Sequence, residues 1–251
     1  MRVRKQYGEM FLLPSAFTLA NLFFGFFSVI ETLNAHYGSA ALWIMVAAIL
    51  DGFDGILARS TRTHSDFGLQ LDSLADAVSF GCAGALLLYT WGLHPVRPSG
   101  LFFSFLFLAA GVLRLARYNI RSKAQPDRRY YTGHTLPSSV MLFVAIILLH
   151  PQPLRSGVQS ALLAALIVFV SFCMVSAIPY RNYLNFNLRH RIDIKTAFFV
   201  SVFIVALIFY TRYLILAFFI FSVLAGPAAA LFKMFQKSRG AEKKKREQNP
   251  C

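Results

Sequence analysis

Asp51-Gly52-Phe53-Asp54-Gly55-Ile56-Leu57-Ala58-Arg59 is followed, eight residues later, by Gly68-Leu69-Gln70-Leu71-Asp72-Ser73-Leu74-Ala75-Asp76. The chain has 11 acidic residues among 251, and four of them stand here, on the flanks of two apolar segments. A carboxylate at membrane depth is costly and by default marks a functional site. Asp51 and Asp54 are separated by three positions and Asp72 and Asp76 by four, so each pair shares one helical face. The polar stretch from Ser60 to Phe67 is short, which makes the two helices antiparallel neighbours and turns both pairs towards one space at one end of a bundle. Four carboxylates in that space repel one another. A hard divalent cation that takes oxygen ligands, Mg2+, Mn2+ or Ca2+, resolves the repulsion, and a two-metal site bridging a phosphate fits the same chemistry.

The surroundings of this stretch define the fold class. The chain is 57% hydrophobic with 26 Phe, and its mean hydropathy is +0.55. Its apolar residues come in blocks of membrane-spanning length, about 17 to 25 residues. We expect an all-α integral membrane protein, a bundle of about eight transmembrane helices over roughly 12–33, 39–59, 70–93, 99–119, 135–150, 158–178, 196–210 and 213–233. The basic start (Arg2, Arg4, Lys5) and the apolar run to Ile30 are too long for a signal peptide and predict the first of these helices. With that topology, 22 of the 25 Lys and Arg fall in loops on one side, and only Arg97, Arg155 and Arg212 on the other. The positive-inside rule then puts both termini and all four acids on the cytoplasmic side. The net charge of +14 lies between apolar blocks and in the tail, a pattern that suits anionic lipid headgroups and not nucleic acid. Residues 1–236 form the transmembrane domain. Residues 237–251, with Lys243-Lys244-Lys245-Arg246, form a basic cytoplasmic tail expected to be disordered. Cys82, Cys173 and Cys251 have neither disulfide nor metal-ligand spacing.

Several residues near the acids admit two readings. Gly52, Gly55, Ala58 and Gly68 let helices approach closely or leave room for a phosphate against the backbone. Arg59 either pairs with phosphate or anchors the helix at the interface. Asn21, an amide in an apolar helix, either bonds a neighbouring helix or takes a ligand group. Arg114 and Arg117 share a face and suit a carboxylate or a positive-inside anchor. His64 has no partner at ligand spacing. An ion transporter is the reading from another class, but transport sites sit near the midplane on broken helices or repeats. Here the acids cluster at one end, and no repeat is visible.

The pattern Asp-x-x-Asp-Gly-x-x-Ala-Arg-x8-Gly-x3-Asp-x3-Asp is matched at every fixed position by Asp51, Asp54, Gly55, Ala58, Arg59, Gly68, Asp72 and Asp76. It resembles the signature of the CDP-alcohol phosphotransferases, integral membrane enzymes that transfer a phosphatidyl or similar group from a CDP-linked lipid to an alcohol and release CMP. Leu71 to Gly81 is similar to the extended motif of the membrane-type (type II) phosphatidylserine synthases. So are Pro14-Ser15-Ala16-Phe17-Thr18-Leu19-Ala20-Asn21, with Ser15 in place of an Asn, Arg114-Leu115-Ala116-Arg117-Tyr118-Asn119, and Met174 to Tyr180. Gly133-His134-Thr135-Leu136-Pro137 departs from the more apolar Gly-Leu-Pro-type segment expected there.

The resemblance implies transfer from CDP-diacylglycerol to the L-serine hydroxyl. It implies that Asp51, Asp54 and Asp72 ligate Mg2+ or Mn2+, with Asp76 sharing the site and acting as general base. Asn21, Gly55, Ala58, Arg59, Ser65 and Gly68 would hold CDP, and Arg114, Arg117 and Asn119 would bind serine. It further implies a homodimer in the cytoplasmic (inner) membrane of a prokaryote. The competing assignment is a sibling enzyme acting on glycerol phosphate, inositol phosphate or choline, and the Leu71–Gly81 match favours serine.

Overall fold

A computed structural model describes residues 2–61, 66–124, 130–176, 179–181 and 216–227, with side chains over 15–53, 67–120, 133–176 and 216–227. Helices α1 (Arg2–Leu33) and α2 (Tyr37–Thr61) form an antiparallel hairpin. Its turn is closed by Ala35, which takes the left-handed conformation at φ 60°, and by the His36 N–H donating to the Glu31 carbonyl at 2.9 Å. Such a residue after the last helical turn lets the chain reverse while the orphan carbonyls keep partners. The Ser28 hydroxyl then donates across the hairpin to the Ala40 carbonyl at 2.9 Å.

A continuous helical rod follows. It comprises α3 (Asp66–Asp76), a π-turn over Ala77–Cys82, α4 (Ala83–Leu88), a second π-turn over Tyr89–Leu93 and a 3-10 turn over His94–Val96. Helices α5 (Ser99–Ala124), α6 (Leu136–Leu149) and α7 (Gly157–Val175) complete the bundle, and α8 (Leu216–Pro227) packs Val223 into its core. The expected segments 12–33, 39–59, 70–93, 99–119, 135–150 and 158–178 correspond to α1, α2, the rod, α5, α6 and α7. The expected helix at 196–210 and the tail 237–251 lie outside the described residues, and 213–233 is described only as α8. One feature departs from a purely helical fold. Strands β1 (Tyr130–Thr132) and β2 (Pro179–Arg181) pair antiparallel, Tyr131 opposite Tyr180. The segments before α6 and after α7 emerge at the same end of the bundle, and this short ladder gives their backbone groups partners.

Among the described residues, four helical stretches are long and apolar enough to cross a membrane: Ser15–Leu33, Phe67–Val96, Ser99–Ile120 and Gly157–Val175. Shorter apolar helices cover Tyr37–Phe53, Leu136–Leu149 and Leu216–Pro227. Phe80, Trp91, Phe107, Phe143 and Ile167 are sealed inside the bundle, while Phe23, Phe102, Phe172 and Phe221 are each more than half exposed. A water-soluble protein does not leave so many large apolar side chains outside. Apolar residues both within and around the bundle are the mark of a membrane protein.

Candidate functional site

Helices α2 and α3 bring three of the acids together. Asp51 lies in the second half of α2, and Asp72 and Asp76 lie one turn apart on α3. One carboxylate oxygen from each of these three residues falls within 4.8 Å of the others. That is about twice the oxygen distance of a Ca2+ ion and little more than the span of a smaller ion's ligands. Asp76 is only 6% exposed, and Asp72 Oδ1 is buried without a hydrogen-bond partner. A buried orphan carboxylate oxygen beside two further carboxyls is a donor set for a hard cation. This acidic cluster could therefore bind a metal. Asp54 lies one turn after Asp51 in α2, and its side chain is outside the described set.

Neighbouring helices brace the acids. From α1, the Asn21 amide donates through Nδ2 to Asp76 Oδ1 at 3.3 Å. From α5, the Asn119 amide donates to the Ser73 hydroxyl at 2.9 Å, next in sequence to Asp72. The Ser73 hydroxyl in turn lies 3.0 Å from the Leu69 carbonyl and 3.1 Å from Asn119 Oδ1. Asn119 thus ties α5 to the helix that carries two of the acids. Arg114, one-tenth exposed or less, stacks over Tyr118 at 5.6 Å, and its charge acts on Asp51. Arg117 donates to the carbonyls of Met174, Val175 and Ser176 at 3.0, 2.6 and 3.2 Å. It caps the last turn of α7, where helical carbonyls have no partner of their own. Gly133 sits against this cap at φ 79°, and a Cβ there would meet both the Met174 carbonyl and the Arg117 guanidinium.

Of the residues assigned to CDP, Gly68 lies in α3 one turn before Asp72. Gly55, Ala58 and Arg59 lie in the last turns of α2 with side chains outside the described set, and Ser65 lies outside the described residues altogether.

Sequence reasoning missed three participants. Ser73 and Ser79 stand inside the Leu71–Gly81 match without a role of their own, and His134 is visible in the sequence only as a departure from pattern. The structure buries His134 at 3% exposure between α6, α7 and α8. Its Nδ1 lies 2.9 Å from the Ser139 hydroxyl and its Nε2 3.1 Å from that of Ser222. Ser139 gives its own hydrogen to the Thr135 carbonyl at 2.8 Å, so Nδ1 donates to Ser139, and in a neutral ring Nε2 accepts from Ser222. Burial favours the neutral imidazole. Burial, then the Arg114 charge, push its pKa down to about 4 against a smaller opposing bond at Thr135.

The sequence model of the CDP-alcohol phosphatidyltransferase family matches residues 11–174. The chain belongs to that family. The match contains Asp51, Asp72, Asp76, Asn21 and the arginines of α5, all the elements that meet at this site. Among its relatives, a Helicobacter pylori protein named CDP-diacylglycerol–serine O-phosphatidyltransferase is 32% identical over 193 residues, 76% of this chain and 81% of the relative. A Bacillus subtilis protein of the same name is 30% identical over 171 residues, 68% of this chain and 90% of that protein. An archaetidylserine synthase of Methanothermobacter thermautotrophicus is 28% identical over 179 residues, 70% of this chain and 72% of the relative.

Proposed function

We propose that this family member is a CDP-diacylglycerol–serine O-phosphatidyltransferase, a phosphatidylserine synthase of phospholipid biosynthesis. The observation that carries the reading is the convergence of Asp51, Asp72 and Asp76 within 4.8 Å on the family's motif, and the names of the relatives support serine as the acceptor.

Asp51, Asp54 and Asp72 would hold Mg2+ or Mn2+, with Asp76 sharing the site. When bound, the metal offsets the negative charge of the diphosphate and of the departing CMP. Gly55, Ala58, Arg59, Ser65 and Gly68 receive the CDP half, and Asn21 stands at the same site behind Asp76. Arg114 faces the serine carboxylate, with Arg117 and Asn119 completing that side from α5. Asp76 takes the proton of the serine hydroxyl as its Oγ attacks the phosphorus that carries diacylglycerol. The bond from that phosphorus to the bridging oxygen breaks, and CMP leaves with the electron pair. Holding the hydroxyl, the phosphorus and the base together supplies much of the rate enhancement. A single displacement needs no covalent intermediate.

The same reading places about eight helices in the inner membrane of a prokaryote, with both termini and the acids facing the cytoplasm. It makes the protein a homodimer whose basic residues, those of the 237–251 tail included, meet anionic lipid.

The test is an acceptor profile. Purified protein with CDP-diacylglycerol and Mn2+ is offered serine, glycerol phosphate, inositol phosphate or choline, and CMP is measured. Release stimulated by serine alone is expected. Release stimulated only by another alcohol would keep the family and remove serine.

A further inference from the structure

We infer that Asn21 is a positioning residue for Asp76, acting on the reaction through that carboxyl and not by touching the nucleotide. The inference deepens the phosphatidyltransferase reading above and rests on it for the part Asp76 plays. Asn21 lies within the apolar part of α1 and is 0% exposed. A buried amide is costly unless it is bonded. Its orientation is set by chemistry: Nδ2 lies 3.3 Å from Asp76 Oδ1, and the reversed amide would set two acceptor oxygens against each other. Asn21 Oδ1 has no hydrogen-bond partner. A leucine would fill much the same space without an orphan acceptor, so the N–H is what the amide contributes here.

The backbone behind the amide is held as firmly. The Ser79 hydroxyl, in the π-turn that begins directly after Asp76, donates to the Asn21 carbonyl at 3.1 Å. One turn along α1, Gly25 lies so close to Ser79 that a Cβ would overlap the serine's side chain and backbone. Helix α1 is therefore fixed to the rod at the level of Asp76, and the amide takes its rigidity from that docking. Depth separates this role from nucleotide binding. Asp51 and Asp72 are half-buried, Asp76 is 6% exposed and Asn21 is fully covered. A ligand arriving at the site meets the carboxylates first. Groups that hydrogen-bond a ligating or reacting carboxylate from behind fix its orientation before the ligand arrives.

The test compares wild type with Asn21→Leu. Mn2+ affinity of the substrate-free protein is read by electron paramagnetic resonance, and kcat and KM are measured on the same preparations. The expected result is a loss of about 10- to 100-fold in Mn2+ affinity and in kcat, with KM for CDP-diacylglycerol unchanged at saturating Mn2+. A raised KM for CDP-diacylglycerol with kcat retained would make Asn21 a nucleotide contact and overturn the inference. Unchanged affinity and kcat would reduce it to packing, with the same consequence. Ser79→Ala removes one hydrogen bond of that docking and leaves the amide and the close Gly25 contact in place, so its loss of Mn2+ affinity should be several-fold smaller than that of Asn21→Leu. An equal loss there would mean that helix docking alone is being read. Should Asn21→Leu fail to fold, Asn21→Ala removes the donor with a smaller side chain and carries the same expectation. If wild type itself transfers nothing to serine, the proposed function falls, and the Mn2+ comparison still decides what Asn21 does.

Discussion

His134 shows how one polar side chain can hold a membrane bundle together without entering the chemistry. Its two ring nitrogens reach Ser139 on α6 and Ser222 on α8, and its backbone N–H donates to the Cys173 carbonyl of α7 at 3.1 Å. Burial favours the neutral ring, and the folded pKa of about 4 lies below the ordinary 6.5. A depressed histidine pKa means that the unfolded chain binds a proton between those values while the folded chain does not. The stabilisation is complete above pH 6.5 and is lost as pH falls towards 4. Thermal denaturation in detergent should therefore show wild type losing more stability than His134→Gln across this interval. Parallel curves would remove the histidine from the account. Nothing in the sequence pattern announced this role, because a histidine two residues before a helix acquires its meaning from hydroxyls on α6 and on α8. Asn119 is a related case. Its position beside Arg114 and Arg117 points to serine, whereas its visible partner is Ser73 on the helix of the acids.

The rod of α3, α4 and two π-turns decides where the acids stand. Asp72 and Asp76 share a face by their spacing, which the sequence shows directly, as it does the antiparallel return of α2 through a short polar connection. The π-turn over Ala77–Cys82 is not legible in the same way. A π-turn keeps the composition of the helix around it and is stabilised by what it packs against, here α1 through Ser79 and α5 through Gly81 and Leu108. Such turns recur beside functional sites. Gly25 is the part of this contact most open to substitution. Gly25→Ala must displace α1 from the rod or distort the π-turn, at a cost of about 1–3 kcal/mol. A lower melting temperature in detergent together with lower activity is expected. The cap of Arg117 on α7 was equally hidden, since an arginine in an Arg-Leu-Ala-Arg run reads as a ligand group or an anchor and not as the closure of a helix distant in sequence.

The molecule as a whole is a bundle with apolar side chains inside and out and a carboxylate cluster at one end. That organisation was readable from the chain because charge in an apolar protein is sparse, so the positions of Asp51, Asp54, Asp72 and Asp76 carried unusual weight. Six of the expected helices are found as described elements. What could not be read was the bracing: which amide faces which carboxyl, and which helix end each arginine serves, depend on neighbours brought together only by folding. The architecture places α1 behind the acids, α5 beside them and α7 against α5, so that three helices outside the motif support the reaction proposed for α2 and α3. Incorporation of labelled L-serine into lipid examines that assembly in one step, using purified protein, CDP-diacylglycerol and Mn2+ with and without chelator. Wild type should form a serine lipid that chelation abolishes, and Asp76→Asn should lower the rate by at least about 100-fold while the protein stays folded. A serine lipid formed at the wild-type rate by Asp76→Asn, or by wild type in excess chelator, would contradict the carboxylate cluster as the seat of the reaction.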